Sequence, residues 1–438
     1  MKNVLVISYY WPPAGGPGSL RVLKFAKYLP QFGWKPVILS VKNGEFPYTD
    51  NSLEADIKDD CPVFYSSTIE PFTLYKKLTG KDSTSTLPVG QLTQKPDKIQ
   101  HKLFNWLRTN IFIPDARMGW ILPGYLRAKK IIRQQKIQAM ISSSPPHSLQ
   151  LMAYLINKKF NLPWIADFRD PWTEIQYYQI SKRNKLSQSF DLCLEKKILR
   201  NANHITTVSS SIGQTFSQKL NLSCPESKIS IIPNGWDPDE FKHDSKPDSS
   251  KFIILHTGNL NATQNPTVLW KSLQHLLEFH PTFKKDLILK FVGRVHENIR
   301  KTITHSNLDA YTEYPNFIPH KQVIVEIQKA AILLSVVPDV PDNKGIVTSK
   351  NFEYIGSGLP ILVVGPTDSD IAHTISEFRH SQMINYNNIK TCETFITERY
   401  QAWKNRENPQ SSRELRHKYS RVSLTGKLAE ILDKITPT

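Results

Sequence analysis

Residues 346–364 read IVTSKNFEYIGSGLPILVV, and the periodicity of the stretch changes halfway along it. Ser349-Lys350 opens a helical segment in which Lys350 and Glu353, three residues apart, share one face. Gly356 and Gly358 break the helix, and Pro360 begins the apolar run ILVV, which has the pattern of a buried strand. The start of such a helix offers backbone N–H groups and a positive dipole end to an anion such as a diphosphate. A carboxylate one turn further in can accept hydrogen bonds from a ribose diol. The same spacing also describes a capped surface helix with an ordinary Lys–Glu pair.

Working outward, short β-branched runs alternate with helical stretches through both halves of the chain. That alternation predicts parallel α/β layers. In the first half the strands are VLVIS (4–8), PVILSV (36–41), QAMISSS (138–144), PWIADF (163–168) and HITTVSS (204–210), with a helix over 18–33. KISIIPNG (228–235) reads as the lead-in to the second half. There KFIILHTG (251–258), DLILKFVG (286–293), AAILLSVVP (330–338) and LPILVVG (359–365) are strands, with helices over 265–280 and near 295–305. The segment from about Ser411 is helical in pattern. Residues 45–100, rich in Ser, Thr, Pro and Lys, show little periodicity; so long an irregular stretch inside a domain is usually functional or mobile.

The 438 residues exceed what one core covers, so two domains are expected. A hydrophobic content of 39% with 22% charged residues is that of a globular protein. Cys61, Cys193, Cys224 and Cys392 are far apart and have no metal-ligand spacing, as expected in a reducing cytoplasm. MKNVLVISYYWPP reads as a first strand and is not expected to be a signal peptide, and no apolar run approaches the ~20 residues of a membrane span. The net charge of +17 is unevenly spread. Lys95, Lys98, Lys102, Arg108, Arg117, Arg127, Lys129, Lys130, Arg133 and Lys136 face only Asp97 and Asp115 in the same interval, interleaved with Phe104, Trp106, Ile111, Phe112, Trp120 and Tyr125. Basic residues among aromatics suit an anionic membrane surface, each contributing about 1 kcal/mol. No nucleic-acid module accompanies them, so nucleic acid is not the expected partner; the other reading is a solvated basic helix face over ordinary core aromatics.

Two constellations in the first half carry potential chemistry. Gly15-Gly16-Pro17-Gly18 follows the first strand and precedes a helix, where glycine lets backbone approach a phosphate, and Arg21 lies one turn on. The spacing is neither a dinucleotide fingerprint nor a P-loop; a turn that simply needs glycine is the other explanation. DFRDPW (167–172) ends a strand, where ligands bind in open α/β sheets. Asp170 is the candidate for orienting or deprotonating an acceptor hydroxyl, with Arg169 beside it, while Asp167 reads as half of a structural ion pair. His147, after Ser144-Pro145-Pro146, ends a neighbouring strand and is the second catalytic candidate.

The 346–364 stretch resembles the nucleotide-sugar site of GT-B-fold glycosyltransferases, in particular retaining family four, with its SK-x-x-EY-x-x-x-G-x-P run. ISYYWPPAGGPGSLR, ISSSPPHS, PWIADFRDPW, ITTVSSSI, IIPNGWDPDEF and FVGR follow the family's order, so the resemblance spans nearly the whole chain outside residues 45–100. It implies two Rossmann-like domains facing across a cleft: 1–215 with a C-terminal helix (412–438) returning to it, and 225–410. The first would bind the acceptor, with Gly15, Gly16, Arg21 and Arg169 near its phosphate or saccharide. The second would bind a nucleotide-diphosphate sugar through Glu353, Lys350, Ser349, Arg294, Gly258 and Asn259. The implied activity is transfer of a sugar, with retention, to a cell-envelope saccharide or lipid-linked acceptor. It would run without metal or other cofactor, on the inner face of the cytoplasmic membrane. The chain departs from the family at Gly345, where a second Glu is usual, and at Asn259 and Gln264, where diphosphate-clamping cations are usual. Those departures keep a non-catalytic scaffold as an alternative; a sugar-nucleotide epimerase is the other.

Overall fold

Strand β1 (Lys2–Ser8) is buried along its last five residues, as a parallel strand covered on both faces must be. The computed structural model describes residues 1–46, 48–69, 106, 109–175, 183–242, 245–315, 318–407 and 409–437. It divides into two units, Met1–Pro233 with Thr425–Thr438, and Asn234–Leu424.

The first unit runs β1, α1 (Pro17–Tyr28), β2 (Trp34–Val41), β3 (Val63–Ser66), α2 (Ile121–Gln134), β4 (Ala139–Ser144), α3 (Ser148–Phe160), β5 (Trp164–Phe168), α4 (Lys185–Asn201), β6 (His204–Thr207), α5 (Ser210–Leu220) and β7 (Ile229–Ile231). Its seven strands lie in the order β3-β2-β1-β4-β5-β6-β7, and every pairing is parallel. Leu5, Ile7, Val37, Leu39 and Met140 turn to one face and pack with Ile131 of α2, Met152 of α3, Ile198 of α4 and Phe216 of α5. The period of two sends the equally buried Val4, Val6 and Ile38 to the other face. KISIIPNG is therefore the edge of this sheet, because β7 pairs with β6. That pairing carries the first unit past the residue 215 expected from sequence.

The second unit contains β8 (Phe252–Thr257), α6 (Thr267–Phe279), α7 (Pro281–Asp286), β9 (Leu287–Val292), α8 (Glu297–His305), β10 (Thr312–Glu313), α9 (His320–Lys329), β11 (Ile332–Val336), α10 (Ser349–Ser357), β12 (Ile361–Val364), α11 (Asp370–Ser376), β13 (Gln382–Ile384), α12 (Ile389–Lys404) and α13 (Arg413–His417). The strand order is β10-β9-β8-β11-β12-β13. Alternation along β8 is complete. Phe252 and Ile254 join Leu273, Ile299 and Phe395 on one side, while Ile253 and Leu255 join Ile327, Phe352 and Ile371 on the other.

The last helix, α14 (Arg421–Ile435), belongs to the first unit from Thr425 onward. There Gly426 lies against the Phe32 ring, and Asp433 pairs with Lys2 at 2.9 Å. Residues before Thr425 are tied to the second unit by backbone bonds from Trp236 to Tyr419 and from Arg421 to Trp236.

Each sheet reverses its strand order once, between β1 and β4 in the first unit and between β8 and β11 in the second. In open α/β sheets the crevice at such a reversal, beyond the carboxyl ends of the strands, is where ligands bind. Gly15–Gly18, after β1, and the 346–364 stretch, after β11, stand at these points, while DFRDPW ends β5, the next strand along.

Candidate functional site

In the second unit the reversal brings together the turn after β8 and the start of α10. Gly258 (φ +82°) and Gly293 (φ +134°) cross so closely that a Cβ on Gly293 would lie 2.5 Å from the Gly258 carbonyl oxygen. Only glycine allows that backbone approach. Asn259 and Arg294, which follow these two glycines, are exposed. Helix α10 is tied down by Tyr354, whose hydroxyl accepts a hydrogen bond from the Thr257 N–H at 2.8 Å. Gly356 lies inside α10, not after it as the sequence suggested, because a Cβ there would come within 2.8 Å of the Trp236 indole. Gly358, at φ +78°, is the left-handed cap that ends the helix.

At the other end of α10, Thr348 precedes the helix without capping it through its side chain. The Thr348 hydroxyl and the Asn351 side-chain oxygen are buried with no hydrogen-bond partner among the described residues. The Thr348 hydroxyl at the helix start is therefore free to donate to an anion beside the backbone N–H groups there, whereas the Asn351 oxygen can only accept. Lys350 and Glu353 do not pair with each other. The Lys350 ammonium instead lies 3.2 Å from Nε2 of His256 and would be 3.5 Å from a Cβ on Gly258. Burial pushes its pKa down to about 8, opposed by Glu353. Glu353 is half-buried and makes no hydrogen bond or ion pair to a described residue. Burial raises its pKa and Glu240 adds to this, while His320, Arg421 and Lys350 oppose. Gln264 is not at an anion site: it is buried, donates to the Val336 carbonyl at 2.8 Å and accepts from the Asn261 N–H at 3.1 Å. His256, wholly buried in β8, went unread because an isolated histidine within an apolar run carries no sequence signal.

In the first unit, Arg21 requires correction. Both it and Asp167 are fully buried and joined by two bonds, Nη2 to Oδ1 at 2.7 Å and Nε to Oδ2 at 3.0 Å. Nη1 donates to the Pro233 carbonyl at 2.9 Å. Burial would raise the Asp167 pKa, but the Arg21 charge and hydrogen bonds from Arg21, Ser143 and Thr206 hold it below the usual value. A guanidinium so engaged does not reach an anion at the helix start. At Gly15 a Cβ would enter the Tyr48 ring, so the close approach of that side chain itself calls for glycine. Gly16 has φ +97° and precedes α1.

Arg169 stands where Arg21 was expected to act. A Cβ on Gly18 would meet its Nη1 at 2.4 Å, and that nitrogen has no hydrogen-bond partner among the described residues. The rest of the guanidinium donates to the Ser144 and Pro145 carbonyls. Asp170 is half-buried and makes no hydrogen bond or ion pair to a described residue; burial raises its pKa and Arg169 opposes. His147 stacks on Trp172, with centroids 5.0 Å apart and planes 9° from parallel, and neither of its ring nitrogens has a hydrogen-bond partner within bonding geometry among the described residues. Burial, then Arg169, pushes its pKa down to about 3, with the Pro171 backbone opposing. His147 is thus a neutral polar group, ill matched to carrying a proton near pH 7. It is held by its surroundings: Asp115 accepts from the N–H and hydroxyl of Ser148, both at 2.8 Å, and Asp191 accepts from the Trp172 indole at 2.8 Å.

The basic segment is divided. Lys95, Asp97, Lys98, Lys102, Phe104 and Arg108 lie outside the described residues. Trp120 is core, its indole bonded to Ser66 at 2.7 Å. Helix α2 buries Gly124, Ala128 and Ile131 and exposes Leu122, Leu126, Lys130 and Arg133, a stripe at helical spacing. Among the described residues no helix is long and apolar enough to cross a membrane.

Residues 92–240 match the family model described as Glycosyltransferase Family 4. Across 99% of this chain, the structure superposes on sucrose-phosphate synthase from Thermosynechococcus elongatus (TM-score 0.63, 12% identity, 99% of that chain). Anabaena HepE in complex with UDP (TM-score 0.62, 13% identity, 100% of that chain) matches over the same share of this chain. So does S. aureus TarM in complex with UDP (TM-score 0.62, 10% identity, 100% of that chain). The chain has the GT-B fold. At these identities the superpositions establish the fold alone, and a fold does not dictate a substrate. No curated protein matches the sequence. Within this GT-B chain, the 346–364 stretch follows β11 at the strand-order reversal of the second sheet, and the DFRDPW stretch ends β5, one strand beyond the reversal of the first.

Proposed function

We propose that this GT-B chain transfers a sugar from a nucleotide-diphosphate sugar to a saccharide or lipid-linked acceptor of the cell envelope, with retention. The observation that carries this reading is the start of α10. Free polar groups, the Lys350 ammonium and the uncommitted Glu353 carboxylate lie along one helix face beside the Gly258 turn. Diphosphate oxygens would meet the helix start, Ser349 and Lys350, with Arg294 and Asn259 at the neighbouring turns. Glu353 would accept from the ribose hydroxyls. UDP in the HepE complex makes a uridine nucleotide the first donor to try.

In the transfer, the acceptor oxygen bonds to the anomeric carbon as the bond from that carbon to the diphosphate oxygen breaks. The acceptor proton passes to the departing diphosphate, so no protein nucleophile and no metal are needed. Lys350, Arg294 and the helix dipole would offset the developing charge. Asp170 would orient the acceptor hydroxyl, with neutral His147 as a hydrogen-bonding neighbour and Arg169 with the Gly16–Gly18 helix start serving an acceptor anion. The α2 stripe would rest on anionic lipid at the inner face of the cytoplasmic membrane, where such an acceptor is found.

The test is a panel of UDP-, GDP-, ADP- and TDP-sugars incubated with the purified protein. Slow donor hydrolysis or transfer of one sugar is expected, with release of its nucleoside diphosphate. Tight nucleotide binding without turnover would favour the scaffold reading that Gly345 keeps open. Inversion at C2 of the sugar would favour an epimerase.

A further inference from the structure

His256 and Lys350 meet where β8 and α10 converge. The His256 ring is fully buried, and its Nδ1 lies 2.9 Å from the Leu334 carbonyl. A carbonyl only accepts, so Nδ1 carries the proton and donates. Burial, then the nearby Lys350 charge, lowers the ring's pKa well below the ordinary value, against the Leu334 and Asn259 backbone. The imidazole is therefore neutral, and its single proton is on Nδ1. Nε2 is left with a lone pair, 3.2 Å from the Lys350 ammonium. In many metal sites a carbonyl or carboxylate on one ring nitrogen fixes a histidine's tautomer for the metal at the other; here the group at the other nitrogen is an ammonium.

We propose that His256 is a positioning residue that holds the Lys350 ammonium charged and aimed at the Gly258 turn, where it meets the terminal phosphate of a nucleoside diphosphate. The inference rests on the nucleotide-sugar reading above for its ligand, and on the Leu334–His256–Lys350 relay for its geometry. A lysine has four rotatable side-chain bonds, and an ammonium left to itself beside Glu353 would swing onto that carboxylate. The relay prevents this, leaving Glu353 free for the ribose and Lys350 for the phosphate. It also compensates for the absence of a cation at Asn259, since Lys350 with Arg294 must then serve the diphosphate. The charged and titratable groups around the pair are Glu353 on α10 and, around Glu353, His320 on α9, Glu240 before β8 and Arg421 at the start of α14.

Two variants separate the parts of the relay. In His256→Asn the side-chain amide replaces Nδ1 and keeps the Leu334 bond, but nothing reaches Lys350. In His256→Gln the side-chain oxygen replaces Nε2 and keeps the acceptor for Lys350. UDP and uridine affinities are measured for each by calorimetry and competition between pH 6.5 and 9.5. UDP affinity should fall about tenfold in His256→Asn, the order for one lost hydrogen bond to a charged group, while uridine affinity holds and His256→Gln recovers most of the loss.

The pH dependence has a definite sign. Lys350 is charged below its pKa of about 8, so UDP binding in the native protein weakens as pH rises through 8. Losing the Nε2 acceptor destabilises the ammonium, so in His256→Asn the weakening begins at lower pH. UDP's own terminal phosphate, with a pKa of about 6, is common to all samples. Independently of any ligand, the Lys350 side-chain carbon resonance, assigned with Lys350→Met, should titrate at lower pH in His256→Asn. An unchanged Lys350 titration, or equal loss of UDP and uridine binding, would overturn the positioning role. If the native protein binds no nucleoside diphosphate while the Lys350 titration shifts, the relay stands and the nucleotide-sugar reading falls.

Discussion

Replacing Glu353 with Ala should weaken nucleotide binding and leave the fold as stable as before, or more so. The carboxylate is half-buried and makes no hydrogen bond or ion pair to a described residue. Burial raises its pKa, so in the native protein it is held ionised at a cost that the unfolded chain does not bear. For an acid whose folded pKa is raised, stability is lost as pH rises from the unfolded value through the folded one. Removing the group should relieve that loss near neutral pH. Binding responds in the opposite direction. Hydrogen bonds to a charged acceptor contribute roughly 1.5–3 kcal/mol, so UDP affinity should fall about tenfold to a hundredfold. Calorimetric titration with UDP and 2′-deoxy-UDP, beside urea unfolding, reads both effects. The deoxy analogue should bind the native protein less tightly than UDP, and the two should converge in Glu353→Ala. A folded variant with unchanged UDP affinity, or a loss of stability above about 1 kcal/mol, would refute the assignment.

Arg21→Ala should destabilise the first unit by about 3–5 kcal/mol, because it strands Asp167 in a fully buried site; a urea midpoint close to that of the native protein would mean the pair is not structural. Asp170→Asn should cut transfer by roughly 10²-fold with donor affinity unchanged, whereas His147→Ala should do less and leave the pH–rate profile unmoved, since its pKa of about 3 lies outside the working range. Reversing Lys129, Lys130 and Arg133 to Glu should abolish sedimentation with anionic vesicles while sparing turnover of a soluble acceptor. Native binding should fall with salt, as exposed charges are screened within about 8 Å at physiological ionic strength, and equal binding to neutral vesicles would exclude an electrostatic contact.

Both sheets were legible in the sequence because their strands are parallel and buried on both faces. Such strands appear as unbroken runs such as VLVIS and FIILHT whatever their neighbours. Gly358 was legible for a similar local reason, a left-handed residue at a helix end. The short strands β3, β10 and β13 were not, since two to four residues carry too little periodicity to stand out. β7 was visible as a run but was assigned by its place in the chain; only its pairing with β6 put it in the first sheet.

The site followed the same division. Sequence marked where polar groups collect, at the strand ends before and after the helices, because strand and helix periods are local properties. It did not reveal which of those groups were already occupied. Arg21 and Arg169 are alike on paper, each beside a glycine-rich or aspartate-bearing turn. Their fates differ because Asp167 reaches Arg21 from a strand 146 residues away, leaving Nη1 of Arg169 without a hydrogen-bond partner among the described residues. Lys350 and Glu353 have the spacing of a surface pair, yet His256, 94 residues earlier, holds the lysine aside. Partner choice between charged side chains is set by distance and burial across the fold, and these are quantities that a linear chain does not contain.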